Sequence, residues 1–280
     1  MNFTTKTAVV TGGASGIGFA LAQELLREGA NVVIADVEQA ALDRAIAELD
    51  DYRGKVLGVR TDVSDFADVQ NLAHETVAHF GAVHILCNNA GVETGGSFSA
   101  IADEAWRWVM DVNFFGVLNG CRVFLPLLEQ HEQAHIVNTA SVAAFASGTA
   151  TMTPYCASKM AVLGLSESLD IELRGRNSPV SVSVLAPGPV KTRMTEAERN
   201  RPVDVPAAEE DERKAAIATL ARITEERGLD PRDVGRQVIE AIQDRRFFIL
   251  THPEIALTGV RTRLNWMETG VAPAPRVAGT

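Results

Sequence analysis

The sequence predicts an α/β protein: a doubly wound, parallel, seven-stranded sheet with helices on both faces, built as a single domain. Short runs rich in β-branched residues are apolar at consecutive positions, as strands covered on both faces must be. Stretches with apolar residues three and four apart, the helical spacing, separate them. The chain has 280 residues, 46% of them hydrophobic and 22% charged, and a chain of about that length can bury roughly 75% of its unfolded surface in one core. Right-handed crossovers between parallel strands then wind the sheet outward in two directions.

Taken in order, TAVVT (7–11) is the first strand, and Ile17, Ala20, Leu21 and Leu25 mark a helix to residue 27. NVVIAD (31–36) is a second strand, followed by a helix over 38–50. VLGVRTDV (56–63), HILCNNAG (84–91), HIVNTAS (135–141), VSVSVLAPG (180–188) and FFILT (247–251) complete the strands, with helices over 65–80, 103–129 and 155–174. The polar stretch 193–229, interrupted by RPVDVPA, is predicted to be a mobile substrate lid within a domain spanning 1–255, the alternative being a surface insertion. Residues 256–280 read as a C-terminal extension with a loose end, GVAPAPRVAGT, because such Pro- and Gly-rich termini pack poorly.

The charge balance excludes nucleic acid as a partner: 26 Lys and Arg stand against 36 Asp and Glu, a net charge of −10, whereas phosphate backbones need clustered cations. No apolar run approaches the roughly 18 residues of a membrane span. The start, MNFTTKTAVVTGG, lacks the basic and long apolar parts of a signal peptide. Cys87, Cys121 and Cys156 are scattered and odd in number, which predicts reduced thiols in a cytoplasmic protein.

Between the first strand and first helix lies TGGASGIG (11–18). Gly12, Gly16 and Gly18 permit a tight turn and close approach of a ligand, and the helix start beyond them, with Ser15 and Ile17, offers free N–H groups and a positive dipole end to a pyrophosphate. A purely structural turn is the competing reading. Asp36 ends the second strand, eighteen residues after Gly18, where an acid accepts hydrogen bonds from an adenosine ribose and repels the 2′-phosphate of NADP. Val37 follows it with no cation, so the expected cofactor is NAD.

TGGASGIG (11–18), DV (62–63), NNAG (88–91), Asn113 in DVNFFG, Ser141 after IVNTA, YCASK (155–159) and PGPVKT (187–192) occur in this order. With these motifs the chain resembles the short-chain dehydrogenase/reductase family. The resemblance implies a Rossmann-type domain, a dinucleotide cofactor, and a catalytic set of Asn113, Ser141, Tyr155 and Lys159. It also implies that Asp62, Val63, Asn88, Asn89, Ala90 and Gly91 line the adenine and ribose side, and Pro187, Gly188, Val190 and Thr192 the nicotinamide end.

Oxidising a secondary alcohol requires a base for its proton. A free tyrosine, with a pKa near 10, needs help. Lys159 lies four residues after Tyr155, one turn along the same helical face, so its ammonium, together with the positive nicotinamide ring, is expected to lower the phenol's pKa, and the amine to hold the nicotinamide ribose. Ser141 is expected to position the substrate oxygen and, by resemblance alone, Asn113 to order a relay water. Cys156 reads as a packed thiol.

HEQAH (131–135) matches the His-Glu-x-x-His pattern of zinc peptidases, which needs both histidines on one helical face and a third ligand. His135 begins the run read as the fifth strand, so no metal is expected. The small apolar residues of VAAFASGTATMT, with 92–96, Met194, Ile217, Leu220 and Ala221, add little charge. They predict a neutral, fairly hydrophobic alcohol or ketone. The family resemblance implies a homotetramer or homodimer packed through 103–129 and 155–174. The competing functions are an NADPH-dependent reductase of the same fold and a non-catalytic NAD(H)-binding regulator.

Overall fold

The computed structural model describes residues 1–207 and 210–275. Its seven strands are β1 (Thr7–Thr11), β2 (Asn31–Asp36), β3 (Val56–Arg60), β4 (Ile85–Asn88), β5 (Ala134–Thr139), β6 (Val180–Ala186) and β7 (Phe248–Leu250). They form one sheet in the order β3-β2-β1-β4-β5-β6-β7, and every pairing is parallel.

Strand alternation divides the core between the two faces. Val9, Val33, Leu86, Ile136 and Val184 point to one side, where they pack with Leu72, Phe124, Leu128 and Val162. These four come from α3 (Phe66–Phe80), α5 (Gly116–Leu128) and α6 (Thr153–Gly175). Ala8, Val10, Val32, Ile34, Ile85 and Leu185 point to the other side, against Leu21, Leu25, Leu42, Val234 and Val238. That layer belongs to α1 (Gly16–Arg27), α2 (Gln39–Glu48) and α8 (Pro231–Asp244). Each buried leucine contributes about 1.5–3 kcal/mol, so this two-sided burial is what fixes the direction of the strands and the crevice at their carboxyl ends.

Three departures from the sequence reading matter for the site. β3 stops at Arg60, not 63, because the Thr61 amide follows β2 only as far as the Asp36 carbonyl, at 3.0 Å. Asp62 then turns, accepting the Ser64 amide at 2.9 Å, and Asp65 caps α3 by accepting the Ala67 amide at 2.8 Å. The helix predicted over 103–129 is divided into α4 (Asp103–Met110), a π turn (Asp111–Phe115) and α5. The polar 193–229 stretch holds a 3-10 turn (Met194–Asn200) and α7 (Asp211–Arg227). Beyond residue 252 lies α9 (Pro253–Thr269), ended by Gly270 in the left-handed conformation; of the tail expected to be loose, residues 276–280 lie outside the described residues. Among the described residues no helix is long and apolar enough to cross a membrane.

Candidate active site

The chain winds one way from β1 to β2 and β3 and the other way through β4 to β7, so the strand order reverses between β1 and β4. Ligands of such sheets bind in the crevice there. A cavity of about 910 Å³ runs along it, from Asp36 and Val37 at one end to Tyr155, Met152 and Ile255 at the other.

The glycine turn forms its floor. Gly12 has φ +60, and a Cβ on it would lie 2.7 Å from Ala90 Cα. Gly16 has φ +56, with Thr192 Cγ2 3.1 Å from the same imaginary atom. Gly12, Ser15, Gly16, Ile17, Asn89, Ala90 and Gly91 all line the cavity. Ser15, preceding α1, makes no side-chain cap, so the first amides of the helix face the crevice with no capping side chain. Gly18 is different: it stands outside the lining, and a Cβ there would fall 2.2 Å from the Gly12 carbonyl oxygen. Its role is to let α1 pack against the turn. The turn is fastened to β4 by Thr11, whose hydroxyl accepts the Asn89 amide at 3.0 Å and the Ala90 amide at 3.1 Å. Asn89 returns the contact by donating to the Thr11 and Gly12 carbonyls. Asn88, grouped with these by resemblance, is instead a core residue whose amide donates to Asn138 at 2.9 Å.

At the far end of β2 the Asp36 carboxylate accepts the Ala14 and Glu38 amides, each at 3.1 Å. Burial pushes its pKa up while these amides pull it down. The acid therefore ties β2 to the glycine turn and also lines the cavity, beside Asp62 and Val63. A cation does stand nearby, though not next in sequence: Arg199 donates to Glu38 at 3.0 Å, as does Asn200. Its guanidinium is engaged by that second acid.

At the other end Ser141 leaves β5, its hydroxyl accepting the Ala143 amide at 3.1 Å and donating to the Pro187 carbonyl at 3.5 Å. α6 starts with Pro154 in its first turn, a residue preset for that position, and carries Tyr155 and Lys159 to the same crevice. Lys159 Nζ lies 5.7 Å from the centre of the Tyr155 ring and donates to the Thr139 carbonyl at 3.0 Å. Burial pushes the lysine down to about 8. It pushes the tyrosine up to about 12, with the Ser141 hydroxyl offsetting part of the rise and the Glu93 charge adding to it. Burial is the dominant influence and the only lowering contribution comes from Ser141, so the polypeptide alone keeps Tyr155 a neutral phenol, without the lowering expected from Lys159. Pro187, Gly188, Val190 and Thr192 line the wall beside them.

Asn113 sits in the π turn, fully buried, behind the cavity wall. Its side chain is spent within the protein: Oδ1 accepts the Val92 amide at 2.8 Å, and Nδ2 donates to the Val92 carbonyl at 2.9 Å and to Ser158 at 3.0 Å. The amide therefore pins the Val92 backbone to α6. π turns are often found at functional sites.

His131 and His135 do not share a helix. His135 is buried in β5 with its ring 2.7 Å from the Ser183 hydroxyl, while His131 stacks on His84 past the end of α5. Among the described residues no group of three His, Cys, Asp or Glu is placed to hold a metal. The three cysteines are buried and unpaired.

Residues 92–96, read as adding little charge, contain an acid in the cavity wall. Glu93 is 4% exposed, lines the cavity, and forms an ion pair with Arg213 of α7. Burial raises its pKa and the guanidinium lowers it, the net direction being upward. Thr94 donates to Glu198 at 2.5 Å, and Ser97 donates to Glu210 at 2.8 Å. These partners are more than 100 positions apart in the chain, so no spacing rule joins them. Of the residues expected to form the lid, Met194 and Leu220 line the cavity, together with Ile223, whereas Ile217 and Ala221 do not.

Comparison with known proteins agrees with this architecture. A family model described as short chain dehydrogenase matches residues 6–202. The C alpha-dehydrogenase of Sphingobium sp. strain SYK-6 is 32% identical over 274 residues, covering 97% of this chain and 88% of that protein. The 1-deoxy-11-beta-hydroxypentalenate dehydrogenase of Streptomyces avermitilis is 41% identical over 198 residues, 70% of this chain and 72% of the relative. A crystal structure of a short chain dehydrogenase/reductase from Burkholderia phymatum in complex with NAD superposes with a TM-score of 0.94, at 42% identity and with 99% of both chains covered. On this sequence match and this shared fold, the chain belongs to the short-chain dehydrogenase/reductase family.

Proposed function

We propose that the protein is an NAD(H)-dependent oxidoreductase interconverting a neutral, fairly hydrophobic secondary alcohol and its ketone. The observation that carries this is the meeting of Ser141, Tyr155 and Lys159 at one end of a cavity whose other end is closed by Asp36. The glycine turn fits a dinucleotide: Gly12 and Gly16 hold backbone conformations with φ +60 and +56, and a Cβ on either would intrude on neighbouring atoms. The NAD in the Burkholderia phymatum structure and the dehydrogenase names of the relatives support the same reading.

When bound, NAD accepts the hydride or returns it. Tyr155 holds the proton at its hydroxyl and passes it to or from the substrate oxygen, which Ser141 orients by hydrogen bond. Lys159, brought by burial down to about 8, is still mostly an ammonium at neutral pH and supplies a positive charge beside the phenol. Asp36 accepts the adenosine ribose hydroxyls and disfavours a 2′-phosphate. The 193–229 stretch serves as a lid over the substrate end of a domain spanning 1–255, and the protein works as a cytoplasmic homo-oligomer, for which the exposed Phe115 and Ile171 and the unpaired cysteines are the support.

The test follows NADH absorbance with a panel of secondary alcohols and ketones, with NADP(H) in parallel. Turnover with a strong NAD preference is expected. A preference for NADP would mean that Arg199 leaves Glu38 for the phosphate, and NADH binding without turnover of any substrate would favour a regulator.

A further inference from the structure

We propose that Glu93 determines substrate choice: the free oxygen of its carboxylate accepts a hydrogen bond from a second hydroxyl on the substrate, one or two carbons from the reacting centre. The substrate class is then a diol and its hydroxyketone. This rests on the dehydrogenase reading above and narrows it.

Glu93 and Arg213 are 4% and 3% exposed. Glu93 Oε2 accepts from Arg213 Nη2, whereas Glu93 Oε1 is buried with no hydrogen-bond partner among the described residues. A buried acceptor left without a donor is as costly as a lost hydrogen bond. Stability does not explain the pair either, since a buried ion pair is often replaced without loss by apolar residues of similar size. Glu93 lines the cavity at its reactive end. It lies two residues beyond Gly91, where a Cβ would sit 3.4 Å from Lys159 Nζ, and its charge is felt at Tyr155. The partner we assign to Oε1 is accordingly a donor on a molecule seated at Tyr155, reached by a small turn of the Glu93 carboxylate towards the cavity that this residue lines.

The chemistry of that donor is constrained. Arg213 already balances the carboxylate, so the pair is neutral and a cationic group would gain little. Ala143, Met152 and Leu220, which pack together with Tyr155, also line the cavity, which suits a neutral group on a carbon skeleton. A hydroxyl meets both conditions.

The test compares matched ketones with NADH: benzoin against deoxybenzoin, and diacetone alcohol against methyl isobutyl ketone. Each pair differs by one hydroxyl, placed one carbon or two carbons from the carbonyl. In the wild type at least one hydroxylated member should be preferred by about 10- to 100-fold in kcat/KM, as expected for a hydrogen bond to a charged group. The double variant Glu93→Leu/Arg213→Met removes the acceptor and the charge together, and its ratio should fall to within about threefold of one. Glu93→Gln, which keeps a weaker acceptor, should lie between. Ratios near one for both pairs in the wild type, or a wild-type preference unchanged in both variants, would overturn the proposal. Reduction of deoxybenzoin or methyl isobutyl ketone reports separately on the dehydrogenase reading, and failure of every ketone overturns that reading and this one with it.

Discussion

Replacing Lys159 by methionine should make the folded protein no less stable at neutral pH while removing its activity. Burial brings the amine from its ordinary 10.5 to about 8. At about 1.36 kcal/mol per pH unit, keeping it charged in the folded state costs on the order of 3 kcal/mol. Methionine has a similar shape and no charge, so that cost disappears. Against it stands the hydrogen bond to the Thr139 carbonyl at 3.0 Å, whose loss leaves a buried acceptor short of a donor, at about 1–3 kcal/mol. The difference is about 0–2 kcal/mol in favour of the variant. The pH dependence is sharper than the sign. Between about 8 and 10.5 the unfolded lysine keeps its proton and the folded one loses it, so the unfolded state binds more protons and stability rises with pH. The wild type should therefore gain on the variant by about 2 kcal/mol between pH 7 and pH 9.5, about 4 °C in midpoint for a chain of this length. Thermal unfolding of both proteins across that window measures it, other groups cancelling in the difference. Parallel pH curves would refute the reasoning, because they would mean that Lys159 is not charged against a burial cost.

The remaining expectations concern the cavity. Tyr155→Phe should lower kcat by about a thousandfold or more while NADH binding, followed by fluorescence titration, stays within about threefold, since the ring and its packing remain. Gly12→Ala places a Cβ 2.7 Å from backbone at φ +60; it should cost about 1–2 kcal/mol in stability and weaken NADH binding by tenfold or so, and an unchanged dissociation constant would show that the turn does not hold the dinucleotide. Asp36→Ala should reduce the NAD-over-NADP ratio of kcat/KM by about 10- to 100-fold and, because it releases the Ala14 and Glu38 amides, lower the unfolding midpoint by a few degrees at about 1 kcal/mol.

What the sequence could reveal was whatever is written locally. Runs such as VVIA in β2 are apolar at each position because both faces are covered, and the glycine turn announces itself by residues that few other structures require. The cavity gathers these with Tyr155 and Lys159. What stayed hidden depends on residues far apart or on phase. Thr11 reads as the last residue of a strand until its two bonds to the 89–90 backbone are seen. Glu93 reads as a loop acid until Arg213 arrives from 120 residues away. α7 went unrecognised because its buried residues are Arg213 and Ala216, which give no apolar stripe. The direction of the Asn113 amide, towards Val92 and Ser158, was not legible either, because a motif conveys a residue's presence and not where its side chain points.

The π turn at Asp111–Phe115 has a consequence for the length of the chain. A π turn is one residue longer than the α turn it replaces. Excising a single residue there would let α4 and α5 run on as an unbroken α-helix, both halves still presenting their original faces to the sheet. The fold would close over the deletion, yet Asn113 would slip out of reach of Val92 and Ser158 and the Val92 backbone would lose its clamp. One surplus residue thus separates what this molecule needs in order to fold from what it needs in order to hold its reactive end in shape.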